Sequence, residues 1–279
     1  MSGCAGGNRI LREDVEATIF HYRHYVLSPY AKFVNSKITG SYNCSDKPDF
    51  GDIDLIIQLD CDRDKNVCKQ DFAKFLSLYP DDIIVPFKSE KYKGKKYLNT
   101  GELVSVLYHI PIKGEEYVQI DNIIATSKPE LEFKDKFLSI PAEKQGLMLG
   151  LVKCAALENP RFVEWYTLGK TDNQELEFNL SSSGISLRLV TLTPDYKTID
   201  KKEVWKSCWW KLVEDLLQDY DFTQSFEDIL LQINQNVKYA RSLNRIKGIF
   251  NSMVSIKSGE VGTEKGFQKE RALKLISKL

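Results

Sequence analysis

What this chain lacks narrows it first. No apolar run reaches the roughly 18 residues that a membrane-spanning helix needs, so no membrane partner is expected. The opening stretch MSGCAGGNRILRED has no apolar core of the kind a secretory signal carries, and reads as a short flexible tail. Ser2 stands where N-myristoylation needs glycine. The six cysteines (Cys4, Cys44, Cys61, Cys68, Cys154, Cys208) form no CxxC pair. That pattern argues against a zinc ribbon or a disulfide framework and suits a reducing, cytoplasmic setting. Internal repeats and low-complexity segments are missing too. Net charge is also absent, since 39 Lys and Arg balance 39 Asp and Glu.

The composition that remains is 42% apolar and 28% charged, which is that of a soluble globular protein. A length of 279 residues suits two domains, or one large one. The balanced charge is unevenly spread: residues 234–279 carry ten basic groups against three acidic ones. Such an end can meet nucleic acid or phosphate, or form the solvated face of a long helix.

Hydrophobic spacing sets out the elements. Val15, Ile19, Tyr22 and Val26 make one apolar stripe, predicting a helix that opens at residue 12 and breaks near Pro29. A short strand over 36–39 leads into Gly40. Residues 53–59, IDLIIQL, are a β-rich run. Helical spacing returns over 68–79, and IIVPF is a short strand. The basic stretch 88–101, with Tyr92 and Tyr97 interleaved, is a loop. Residues 102–125 predict a β-hairpin turning at Lys113-Gly114. Pro129 and Pro141 mark a shift of composition. The expected organisation is α+β: residues 1–140 as a mixed or antiparallel sheet flanked by helices, then residues 141–279 as a mainly helical domain with one hairpin. In the second part a helix is expected over 143–157 and the hairpin over 174–192. Asp200 with Glu203 resembles a capping box opening a helix over 201–220 that buries Val204, Trp205, Trp209, Leu212 and Leu216. A longer helix follows from Ser225 to about 252, and a last short one closes the chain.

The chemistry concentrates in residues 40–59, GSYNCSDKPDFGDIDLIIQL. Alternate side chains of a strand share a face, so Asp52 and Asp54 point together while Ile53 and Leu55 enter the core. Two like charges so placed repel, yet they can share hard divalent cations. Mg²⁺ takes oxygen ligands and keeps positions open for substrate phosphates. Two such ions about 3.5–4 Å apart stabilise both the attacking and the leaving oxygen of phosphoryl transfer. Asp121, in YVQIDNIIA, is the candidate third carboxylate. It shares a face with Gln119, opposite Val118 and Ile120, and an acid inside an apolar strand is costly unless it is a ligand. Gly40 lets backbone approach a phosphate closely, and Ser41 adds a hydroxyl and an N–H.

Taken in order, ITGSY, FGDIDLII and VQIDNII resemble the signature of the DNA polymerase beta-like nucleotidyltransferase superfamily: a strand ending in Gly-Ser, an Asp-x-Asp heading the next strand, and a third Asp on a later strand. The resemblance spans residues 38–125. It implies a nucleotidyltransferase palm over 1–140, with Asp52, Asp54 and Asp121 as catalytic metal ligands for Mg²⁺ or Mn²⁺. Asp121 would also favour deprotonation of the acceptor hydroxyl. Gly40 and Ser41 would contact the β- and γ-phosphates of an NTP, and an NMP would be transferred with release of pyrophosphate. Lys153, in GLMLGLVKCAAL, is similar to a lysine that reaches the triphosphate in poly(A) polymerases and related synthases. Its bland counterpart is a surface lysine on an amphipathic helix.

The acceptor is open. A nucleic-acid 3′ end (RNA or DNA) or a second nucleotide is favoured by the basic C-terminal region. A nucleotide- or partner-binding module without turnover, and a toxin-like enzyme modifying tRNA or protein, are the alternatives. The loop KYKGKKY is a candidate contact for triphosphate or nucleic-acid backbone, or simply solvated. His21 and His24 lie three apart on a helix, but no acid or cysteine completes a metal set.

Overall fold

The computed structural model describes residues 7–44, 46–110, 116–140, 144–145, 148, 152, 173–195 and 198–216. The chain divides into two compact units, Met1–Ser139 and Ile140–Leu279.

The first unit is built on one mixed sheet. Its strands are β2 (Phe33–Thr39), β4 (Asp52–Leu59), β5 (Ile84–Val85), β6 (Leu98–Thr100), β7 (Leu103–His109) and β8 (Tyr117–Ala125), in the order β2-β4-β8-β7-β5, with β6 also on β7. Every neighbouring pair is antiparallel except β4 with β8, which run parallel. The stripe predicted on the first helix is real. In α1 (Arg12–Tyr22) Val15, Ile19 and Tyr22 are fully buried, as is Val26 in the π-helical turn Arg23–Leu27 that extends it. They pack with Ile53, Leu55 and Ile57 of β4 and Val118, Ile120 and Ile124 of β8. Each such side chain contributes about 1.5–3 kcal/mol on burial. The same cluster takes Phe72 and Leu76 of α3 (Lys65–Ser77), whose first turn is capped by the Asp64 carboxylate accepting from Asn66 N–H at 2.8 Å. Polar groups are built into this face as well: Asn122, fully buried, accepts from the Tyr22 hydroxyl at 3.1 Å and donates to Val104 C=O at 2.9 Å.

The opposite face of the sheet carries α4 (Lys128–Leu138) at one end. Ile56, Ile123, Ala125 and Leu131 form a small cluster there. Phe87 and Leu107, with Tyr92 and Tyr117 against them, form another at the far end. Beyond the ends of β4 and β8, Lys65, Glu102, Glu130 and Lys134 make a half-buried network of two positive and two negative charges. Lys65 bridges Glu102 and Glu130, and Lys134, with no exposed side-chain surface, bridges the same two acids. Glu130 also accepts from the Thr126 N–H at 2.9 Å. These donors hold the Glu130 carboxyl below its ordinary range against the opposing cost of burial, with Lys65 the largest of the favourable influences.

Several expectations change. Residues 7–11 are not a free tail: Asn8 N–H donates to Tyr117 C=O at 2.7 Å, and β1 (Ile10–Leu11) pairs with β3 (Asp49–Phe50) and buries Ile10. The strand into Gly40 begins at Phe33, because its partner β4 is long enough to pair with all of it. Cys61 and Cys68 are joined by a disulfide across the connection from β4 to α3, their Cα atoms 6.3 Å apart. The seven-residue spacing hid a proximity that only the turn back into α3 creates, so the cysteine pattern carries no argument for a reducing compartment. Among the described residues no helix is long and apolar enough to cross a membrane.

The described part of the second unit is β-rich. The predicted hairpin forms as β9 (Gln174–Ser181) and β10 (Gly184–Leu192). The helix expected over 201–220 does not: residues 198–207 are a third antiparallel strand, β11 (Thr198–Ser207), paired along β10, and helix begins only at α5 (Trp210–Leu216). Pairing with β10 outweighs the helical spacing, and Val204 and Trp209 are 40% and 65% exposed instead of buried. Of the helix expected over 143–157, residues 144, 145, 148 and 152 are described, and all are helical. The helix from Ser225 and the basic region 234–279 lie outside the described residues.

Candidate functional site

β2 ends at Thr39, which pairs with Asp54 across the antiparallel ladder. The next residue, Gly40, has φ of +69°, in the left-handed region that suits glycine. The position excludes a side chain for a second reason, since a Cβ there would collide with the Asp54 carboxylate. Glycine therefore lets the backbone turn directly against the acid. Ser41 opens a single helical turn, α2 (Ser41–Cys44), which is pinned from behind: the Asn43 side chain donates to Ile38 C=O at 2.9 Å and to the Ser139 hydroxyl at 3.0 Å.

The loop from this turn to Asp52 is tied to α1 by Arg12. Its guanidinium donates to Lys47 C=O and Tyr42 C=O, both at 3.1 Å, and lies 4.9 Å and 5.2 Å from the ring centres of Tyr42 and Phe50. No spacing in the sequence signals this clip, because it joins a helix start to a loop through side-chain-to-backbone bonds.

Asp52 and Asp54 head β4 with Ile53 buried between them on the other face. The parallel register puts Asp54 beside Asp121 and Asp52 beside Gln119. On its other flank Asp121 faces Ser105 of β7, which is also buried. Along β8 the positions sharing this face run Tyr117, Gln119, Asp121, Ile123, Ala125. The acid-bearing patch is thus bracketed by the two apolar clusters at either end. Gln119, the residue that sequence reasoning put on this face without a role, donates from Nε2 to Asp121 Oδ1 at 2.8 Å.

The electrostatics are those of crowded like charges. Burial first, then Asp52 and Asp121, push the Asp54 carboxyl up to about 7. Among the described residues no set of three or more His, Cys, Asp or Glu side chains is gathered closely enough to form a ready-made metal cage. The register brings the three acid positions onto one face without closing their side chains on a common point. The donor set nevertheless fits a hard divalent cation: three carboxylates on one sheet face, beside a glycine whose missing Cβ lets the backbone lie against the Asp54 carboxylate.

Other candidates fall away from this patch or outside it. Lys153 lies outside the described residues. In the basic loop, Tyr92 and Tyr97 pack against apolar clusters, and Lys96 is paired with Asp81 at 2.7 Å. His21 shares a hydrogen bond with the Tyr108 hydroxyl at 2.6 Å and lies against Tyr25, so it is packed into the fold. No protein-family model matches this chain, and no curated protein matches it.

Proposed function

We propose that this protein is a metal-dependent nucleotidyltransferase that moves an NMP group from an NTP to an acceptor hydroxyl and releases pyrophosphate. The observation that carries the reading is the parallel pairing of β4 with β8, which makes Asp54 and Asp121 lateral neighbours, with Asp52 on the same face. Asp52, Asp54 and Asp121 would hold Mg²⁺ or Mn²⁺. Cations bound there supply charge neutralisation and polarisation of the reacting phosphate. Gly40 and Ser41, at the turn against Asp54, would receive the β- and γ-phosphates. The acceptor oxygen forms its bond to the α-phosphorus, the bond from that phosphorus to the bridging oxygen breaks, and the electron pair leaves with pyrophosphate. The hydroxyl proton passes toward the Asp121 carboxylate.

A nucleic-acid 3′ end or a second nucleotide is the favoured acceptor, on the strength of ten basic against three acidic groups in residues 234–279. Lys153 would reach the triphosphate in this scheme. The test is to incubate the protein with each α-labelled NTP and Mg²⁺ or Mn²⁺, in turn with RNA, DNA, tRNA, a protein acceptor and no acceptor. Transfer that vanishes in Asp52→Asn and Asp54→Asn supports the enzyme. Nucleotide binding with no transfer to any acceptor points to a binding module instead.

A further inference from the structure

Gln119 is buried, 7% exposed, on the same sheet face as the three acids. Its Nε2 donates to Asp121 Oδ1 at 2.8 Å. A carboxylate only accepts, so this bond also settles which end of the amide faces Asp121. The other end is then left over: among the described residues, Gln119 Oε1 is buried with no hydrogen-bond partner. A buried acceptor without a donor lowers stability, and an apolar side chain of similar length would avoid that cost. The position is therefore poorly explained by folding alone.

We propose that Gln119 is a positioning residue, resting on the nucleotidyltransferase reading. By holding Asp121 Oδ1 it restrains the rotation of that carboxylate, and Oδ2 would remain available to a cation held with Asp52 and Asp54. Its register partner is Asp52, so Gln119 also fills the strand position next to the first acid with a neutral group. A fourth carboxylate there would add to the repulsion that already raises Asp54. Groups that orient a metal ligand through a hydrogen bond typically contribute about 10–100-fold to metal affinity.

The test uses the full-length protein, Mn²⁺ alone as the probe, and electron paramagnetic resonance to measure the free ion. Gln119→Met keeps the length and removes both hydrogen-bonding ends. The expected result is Mn²⁺ binding weakened by about tenfold with the thermal midpoint unchanged or raised, because the orphaned acceptor has gone. A merely structural Gln119 would give the reverse: a lowered midpoint with Mn²⁺ affinity within twofold of the parent, and that result overturns the proposal. A lowered midpoint together with weakened binding would also overturn it, since the loss then follows from the fold. Asp121→Asn is measured alongside. If it loses Mn²⁺ while Gln119→Met does not, Gln119 has no positioning role and the metal site stands. If the unchanged protein binds no Mn²⁺, the nucleotidyltransferase reading fails and this inference with it.

Discussion

Asp54 and Asp121 sit side by side in the parallel pair of β4 and β8, with Thr39 on the outer flank of Asp54 and Ser105 on the outer flank of Asp121. Four strands thus deliver one row of side chains, two hydroxyls outside and two carboxylates inside. Asp52 adds a third carboxylate two residues back along β4. Nothing in the apolar core requires acids in this row, because the core lies on the other face with Ile53, Leu55 and Ile120.

Replacing any one acid should remove the activity without unfolding the protein. Asp52→Asn, Asp54→Asn and Asp121→Asn are each expected to lower NMP transfer by roughly 10²–10³-fold, the scale of losing one preorganised electrostatic group. Single-turnover transfer of α-label, with circular dichroism as the check on folding, measures this. Full activity in Asp121→Asn would remove the third ligand from the scheme.

Asp54 should also cost stability at neutral and higher pH. The Asp54 carboxyl is pushed up to about 7 in the fold, against about 3.9 in an unfolded chain. The folded state therefore binds this proton more tightly, and stability contributed by it falls as pH rises from about 4 through about 7. In chelator, Asp54→Asn should be more stable than the parent at pH 8 and close to it at pH 4. Added Mg²⁺ at pH 8 should narrow the gap by stabilising the parent alone. Urea melts across that range decide the matter. A parent that outlasts Asp54→Asn in chelator at pH 8 would contradict it.

Gly40 should tolerate alanine worse than another left-handed glycine does. Gly94 also has positive φ, +79°, but a Cβ there meets nothing within 4 Å among the described residues. Gly94→Ala should lose about 1–2 kcal/mol, the cost of the backbone conformation alone. Gly40→Ala carries that cost plus the collision with the Asp54 carboxylate, so it should lose more and should also abolish transfer. Equal stability losses in the two variants would mean that Asp54 moves aside freely.

The charge network behind β8 supplies a separate pH signature. Glu130 is held below its ordinary range by Lys65, by the Thr126 N–H and by Lys134. A depressed carboxyl stabilises the fold above its unfolded value, about 4.3, and that contribution disappears as pH falls through the folded value. Glu130→Gln leaves Lys65 and the buried Lys134 to share Glu102 and is expected to lower stability at pH 7 by less than the about 3–5 kcal/mol of a buried charge left wholly unpaired. The difference from the parent should shrink as the medium is acidified below about 4. A pH-independent difference would assign the loss to packing.

Much of the site was legible in the sequence because its signals are local. The two-residue alternation of a strand puts Asp52 and Asp54 on one face by itself, and a glycine after an apolar strand marks the turn. The α1 stripe of Val15, Ile19, Tyr22 and Val26 was equally plain, as was the hairpin of β9 and β10. Other features depended on which strand found which partner. Residues 198–207 carry a capping-box pattern and helical spacing, yet they lie along β10, because its open edge offers ladder partners over eight register positions. Cys61 and Cys68 are far from any CxxC pattern, and only the turn into α3 joins them.

The sequence by itself determined that two acids would point together beside a Gly-Ser turn, since strand periodicity and glycine's backbone freedom act within a few residues. Only the tertiary structure decided that Asp121 would stand next to Asp54, that Gln119 would hold it, and that Arg12 would clip the loop between the turn and the acids. Those relations join segments distant along the chain through the register of a parallel ladder and through side-chain bonds to backbone, and neither leaves a period for local reading to detect.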